Sequence, residues 1–291
     1  MNKPAAAALA WNGQALVDSQ WLQGVLGQPG LVVLDTSYYL PNVPKNARAE
    51  YEAGHVPGAR FLDYASLSRT GSSLPNTMPD AAQFSAVMGS LGVSNQDLVV
   101  LVDQQGMSSS PRIWWMLRAF GHENVAVLDG GLPDWVHAGG ALEQASAPFD
   151  PTRFEAQGPD ASCAGIPDVQ AALQARQQVL DARSKSRFEG AAPEPRPGLR
   201  SGHIPGSRNL PYESLTGKDG RMLSTQQLAD RYSAAGIDWK APVLCSCGSG
   251  VSACVLALGL HQLGNRSVRV YDGSWTEWGS RADLPLEQGS A

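Results

Sequence analysis

VLCSCGSGVSACVL, residues 243–256, holds three of the chain's four cysteines. It begins as a short apolar run, passes two glycines and continues into small apolar residues. The spacing predicts a strand over residues 242–246, a tight loop CGSGV over 247–251 and a helix over 251–263. Cys247 then opens the loop. A strand that turns tightly into a helix is the building unit of an α/β fold, and open parallel sheets bind ligands beyond the carboxyl ends of their strands.

The surrounding sequence repeats this alternation in two copies. The first half carries VVLD (32–35), EYEAGHVPGARFLDY (50–64), LVVLVD (98–103) and VAVLDGGLPDW (125–135). The second carries QVLDAR (178–183), LRSGHIPGSRNLPY (199–212), APVLCSC (241–247) and VRVYDGSWTEW (268–278). Asp35 pairs with Asp181, His55 with His203, Tyr64 with Tyr212, Asp129 with Asp272 and Trp135 with Trp278. A match this long, in the same order, is a duplicated domain and not a short-period solenoid. The valine- and leucine-rich runs suit parallel strands buried on both faces. Helical patterns separate them, as in AAQFSAVMGSLG, SSPRIWWMLRAFGH and TQQLADRYSAAG. The expected fold class is α/β: two tandem domains, residues 1–142 and 166–291, each a mostly parallel sheet flanked by helices. The Pro-, Ala- and Ser-rich residues 143–165 read as a linker.

Composition narrows the function. The chain of 291 residues is 43% hydrophobic and 17% charged, with 22 basic and 27 acidic side chains for a net charge of -5. That balance argues against a nucleic-acid partner. The N-terminal MNKPAAAALAW is too short and too weakly apolar for a secretory signal and reads as a frayed start. No apolar run reaches the roughly 18 residues of a membrane span. Sparse cysteines predict free thiols in a reducing, cytoplasmic setting. The C-x-C pair has no second pair and no histidine at ligand spacing, so no zinc site is expected, and nothing in the sequence requires a cofactor.

The glycines of CGSGV let the backbone curl with its amides inward, and the following helix dipole favours an anion at the centre. Thiols at such positions ionise readily. The stretch therefore describes a preformed seat for a thiolate nucleophile at Cys247. In the first copy Asp103 stands in its place, so that copy is expected to be inert. Cys245 and Cys254 fall on the strand and helix as core residues, and Cys163 falls in the linker. Trp135 and Trp278 are expected to pack the last strand of each copy against a helix.

These features resemble the two-domain sulfurtransferases of the rhodanese superfamily over nearly the whole chain. The resemblance rests on the duplication, on GHVPGA and GHIPGS, and on CGSGVSA at one strand end. Within the superfamily the loop is most similar to that of bacterial 3-mercaptopyruvate sulfurtransferases. Thiosulfate-preferring members usually carry Arg and Lys where this chain has Gly248 and Ser249. The resemblance implies a Cys247 persulfide formed from 3-mercaptopyruvate with release of pyruvate. A thiol such as thioredoxin or a small thiol, or cyanide in an assay, would then take the sulfur. It also implies that Arg187 and Arg196 grip the substrate and that Ser249 binds the reacting sulfur or helps move its proton. The amides of Gly248, Gly250, Val251 and Ser252 would surround the anion. His55 lies near the cleft by the same resemblance, although a histidine kept in both copies also suits a structural role. Where the family often has Arg-Asp-Ala-Arg, this chain reads KNAR, and Asn46 leaves any Asp–His–Ser relay without its first member.

Three other readings compete. A phosphatase of this fold needs an arginine six residues after the cysteine, and that position is Ala253. A persulfide carrier would need the same loop but not the arginine pair. Thiosulfate is the alternative donor, with cyanide as acceptor.

Overall fold

The computed structural model describes residues 9–40, 42–144 and 148–290. The frayed start read at residues 1–8 and linker residues 145–147 lie outside the described residues. The chain forms two compact units. The first takes Met1–Thr70, Met78–Asp160 and Lys218–Met222; the second takes Gly71–Thr77, Ala161–Gly217 and Leu223–Ala291.

The first unit contains β1 (Leu16–Val17), α1 (Ser19–Val25), β2 (Leu31–Asp35), α2 (Ala47–Ala53) and β3 (Arg60–Phe61). It continues with α3 (Ala81–Ser90), β4 (Leu98–Val102), α4 (Ser110–Ala119), β5 (Val125–Leu128) and α5 (Gly131–His137). The second unit repeats the series from β6 (Cys163–Ala164), α6 (Ile166–Gln174), β7 (Gln178–Asp181), α7 (Lys185–Phe188) and β8 (Arg208–Asn209). It ends with α8 (Thr225–Ala234), β9 (Val243–Ser246), α9 (Ala253–Gln262), β10 (Val268–Tyr271) and α10 (Ser274–Trp278). The sheets have matching strand orders, β1-β5-β4-β2-β3 and β6-β10-β9-β7-β8, and every pairing is parallel.

The central strands explain their own position. Every residue of LVVLV in β4 and of VLCS in β9 is buried, as a strand covered on both faces requires. In α9, the run Ala253–Leu260 is wholly buried, so this helix is apolar all round and packs within the unit. Trp135 and Trp278 sit in the cores of the first and second unit, respectively. Among the described residues no helix is long and apolar enough to cross a membrane.

The linker reading differs from the structure in two ways. Cys163 lies in β6, paired with Val270 of β10; a two-residue edge strand has too little pattern to read from sequence. Residues 150–160 run along the first unit. The amide of Thr152 donates to Gly89 O, that of Gln157 to Phe120 O and that of Asp160 to Ala119 O. These carbonyls close α3 and α4, where a helix leaves acceptors unused. Phe154 is buried in the same stretch.

Candidate active site

In each sheet the direction of the crossovers reverses between two central strands, β2 and β4 in the first unit and β7 and β9 in the second. That crevice is where open α/β sheets bind ligands. In the second unit Asp181 ends β7, and Cys247 directly follows β9.

Cys247 is only 1% exposed. Its loop is shaped by the start of α10. Trp275 donates its amide to Cys247 O at 2.9 Å, and Thr276 donates to Gly248 O from both its amide and its hydroxyl. Ser274 Oγ accepts the amides of Cys247 and Gly250, each at 3.1 Å, and donates to Tyr271 O at 2.7 Å. The same oxygen lies 3.9 Å from Cys247 Sγ. Gly250 adopts φ +78°, open to glycine at little cost, and its carbonyl accepts from the Cys254 thiol. Among the described residues, the amides of Gly248, Ser249, Val251 and Ser252 have no protein acceptor. Four N–H donors left without acceptors in the loop that Cys247 opens can receive an anion.

The first unit shows what such a loop does with an anion present. There Asp103 directly follows β4, and its carboxylate accepts the amides of Gln105 at 2.7 Å, Ser109 at 2.6 Å and Ser110 at 3.3 Å. The hydroxyls of Ser108 and Ser109 also donate to it. The backbone bond that holds the loop is shared, since Leu132 donates to Asp103 O at 3.0 Å as Trp275 does to Cys247 O.

Around Cys247 stands a buried ion network. Arg183, with a fully buried side chain, donates to both oxygens of Asp181 and to Glu194 Oε1. Burial opposes its charge, yet Asp181 and Glu194 hold its pKa above the ordinary arginine value. Glu194 Oε2 takes Arg187 Nη2 at 2.5 Å. That nitrogen lies 2.9 Å from where a Cβ on Gly248 would stand, so Arg187 is held against the loop. Arg187 Nε is buried without a protein partner among the described residues. Arg196 is half-buried two residues beyond Glu194, with no hydrogen bond or ion pair among the described residues.

Ser249, 4% exposed, accepts a hydrogen bond from Asn76 Nδ2 at 3.1 Å. Asn76 comes from the first half of the sequence but belongs to the second unit. His55 is wholly buried in the first unit. Its ring stacks on Tyr51 at 3.8 Å, its Nδ1 lies 2.7 Å from Tyr51 O, and its backbone bridges to Glu143. His203 repeats this in the second unit, stacked on Phe188 at 3.8 Å and bridged to Glu287. The two histidines thus share one environment, in the same place in each unit. Asn46 caps α2, where its side chain accepts the amide of Ala49. Burial pushes the Cys245 thiol up, in keeping with its place in the core. No group of three or more His, Cys, Asp or Glu among the described residues could hold a metal ion.

Sequence reasoning passed over Ser274, Asn76, Arg183 and Glu194. Ser274 had a signal: YDGSW in the second copy corresponds to LDGGL in the first, with a serine where the first copy keeps glycine.

The model of the rhodanese-like domain matches residues 18–138 and again 166–281. A rat 3-mercaptopyruvate sulfurtransferase is 41% identical over 276 residues, covering 92% of this chain and 93% of its own. The enzyme of that name from Escherichia coli K12 is 38% identical over 273 residues, covering 93% and 97%. The crystal structure of SseA, a 3-mercaptopyruvate sulfotransferase of Escherichia coli, superposes with a TM-score of 0.81 at 33% identity, covering 90% of this chain and 99% of that one. With both halves matching the rhodanese-like domain and relatives of this kind along most of its length, this chain belongs to the rhodanese family.

Proposed function

We propose that the chain is a 3-mercaptopyruvate sulfurtransferase working through a persulfide on Cys247. The observation that carries this reading is the set of four unpaired amides in the loop that Cys247 opens, a loop whose sister copy wraps a carboxylate. Relatives of that name at about 40% identity over most of the chain support the donor.

In the first step the Cys247 thiolate attacks the sulfur of 3-mercaptopyruvate. The S–S bond forms as the C–S bond breaks, and the electron pair leaves on carbon as the pyruvate enolate, which takes a proton to become pyruvate. Arg187 and Arg196 hold the carboxylate and the keto oxygen, since planar guanidinium groups suit paired oxygens. The amides of Gly248, Ser249, Val251 and Ser252 form the anion seat, the Gly250 amide being held by Ser274 Oγ instead, and the Ser249 hydroxyl hydrogen-bonds the reacting sulfur. In the second step a thiolate acceptor attacks the outer sulfur, the S–S bond to Cys247 breaks, and the thiolate is restored. The acceptor is thioredoxin or a small thiol, in a cytoplasmic setting that keeps all four cysteines free. The chemistry runs on protein groups alone.

Intact mass after exposure to 3-mercaptopyruvate tests the reading. The expected result is a reductant-reversible gain of one sulfur, about 32 Da, with pyruvate released and both lost in Cys247→Ser. Retained transfer in that variant overturns the assignment, and a gain of sulfur from a persulfide partner without pyruvate release marks a carrier. Parallel kcat/KM values with cyanide as acceptor rank 3-mercaptopyruvate above thiosulfate if the neutral loop sets donor choice.

A further inference from the structure

Ser249 can serve the reacting sulfur in two opposite ways: by giving up its proton to a base, or by keeping it and donating a hydrogen bond. Its environment distinguishes them. A serine hydroxyl has one hydrogen to give and two lone pairs that accept. One lone pair is taken by Asn76, whose amide nitrogen donates to Ser249 Oγ at 3.1 Å. An amide N–H cannot accept a proton, so the Ser249 hydrogen is left to point elsewhere. Both side chains are more than nine-tenths buried, Ser249 4% and Asn76 8% exposed.

The backbone holds Asn76 in place. It sits at φ +58°, a left-handed position that asparagine tolerates better than most residues. The turn around it is closed by Ser72, whose hydroxyl donates to Leu74 O and accepts the Leu74 amide, and by Thr77, whose hydroxyl donates to Leu74 O. The segment 71–77, GSSLPNT, and the loop 248–252 carry no charge. At Gly248 the loop meets Arg187, which is paired with Glu194.

We infer that Asn76 is a positioning residue for sulfur transfer: by donating to Ser249 Oγ it orients that hydroxyl as a hydrogen-bond donor to the reacting sulfur, and Asn76 cannot itself act as a base that takes the hydroxyl proton. The inference rests on the persulfide reading above and specifies which of two roles Ser249 has.

Two variants test it. Asn76→Gly deletes the amide and keeps the left-handed backbone. Asn76→Asp keeps shape and backbone and replaces the donor with an acceptor, which draws the Ser249 hydrogen away from the sulfur. Pyruvate release from 3-mercaptopyruvate is measured for both as a ratio to the unmodified protein at each pH from about 3.5 to 7, which spans the range in which an aspartate ionises. The expected loss in kcat/KM is about threefold for Asn76→Gly and about tenfold or more for Asn76→Asp at neutral pH. The Asn76→Asp deficit should shrink as pH falls, because the protonated carboxyl can again donate. A flat ratio overturns the inference. So does a deficit that shrinks as pH rises, which is what charge repulsion on the nucleophile gives, and so does an Asn76→Asp variant equal to Asn76→Gly at every pH. If Asn76→Asp does not fold, Asn76→Gly decides, and unchanged kcat/KM in it overturns the inference. Failure of the unmodified protein to release pyruvate would instead strike the persulfide reading.

Discussion

Ser274 holds the Cys247 amide at 3.1 Å from a left-handed backbone position, φ +49°, that its counterpart Gly131 fills at φ +59° in the first unit. A non-glycine residue costs about 1 kcal/mol or more there. The second unit tolerates that cost and gains an oxygen that gathers two loop amides. Ser274→Gly should therefore lower kcat/KM about 10- to 100-fold while thermal stability stays within a few degrees, because strain relief offsets the lost hydrogen bonds. Ser274→Ala keeps the strain without the oxygen and should lose both activity and Tm. Paired calorimetry and pyruvate assays check the contrast.

Glu194 is shared between two arginines, at 2.7 Å from Arg183 and 2.5 Å from Arg187. Removing one partner of a buried charge network leaves the others uncompensated, so Glu194→Ala should destabilise the second unit by about 3 kcal/mol. Glu194→Gln keeps shape and frees Arg187, and KM for 3-mercaptopyruvate should rise about tenfold with a smaller change in kcat. Gly248→Ala should act on the same arginine, since its Cβ would stand 2.9 Å from Arg187 Nη2. Urea unfolding and steady-state kinetics separate the two effects.

Asp103 fills the anion seat of the first unit with its own carboxylate. Asp103→Ala would leave the Gln105, Ser109 and Ser110 amides without that acceptor. The expected cost is about 3 kcal/mol, seen as a lowered Tm, with sulfur loading on Cys247 retained below that temperature. Loss of loading without loss of stability would contradict the view that this carboxylate serves only its own loop.

Asp35 gives a pH signature. Burial raises its pKa above the ordinary aspartate value, although Ser37 and Gln104 donate to it; nearby Asp103 raises it further. A carboxyl whose folded pKa exceeds its unfolded one binds its proton more tightly when folded, so its ionisation costs stability as pH rises. Asp35→Asn removes that titration. The Tm difference, variant minus unmodified protein, should become more positive as pH rises from about 4 towards 7. A difference that is flat, or that falls, counts against the burial effect.

The sheets and Cys247 were legible because both rest on local signals: valine-rich runs, a strand-end cysteine and two glycines, repeated in a second copy that could be compared. Asn76 was not, because a turn in the first half contributes to the second unit and no periodicity marks it. Arg183 and Glu194 lie in ordinary-looking polar stretches, and only burial makes them a network. β6 escaped because two residues carry no alternation, and residues 150–160 read as a free linker because backbone bonds to helix ends leave no mark on composition.

The exchange of short segments has a consequence for the history and handling of this chain. Residues 71–77 belong to the second unit and 218–222 to the first, where Arg221 pairs with Asp134 and the Met222 amide donates to Asp129. A chain severed between the repeats would strip Asn76 from the half that bears Cys247, and Arg221 from the other. Once copied, the two modules ceased to be separable goods: neither can be shuffled, excised or borrowed without leaving part of itself behind.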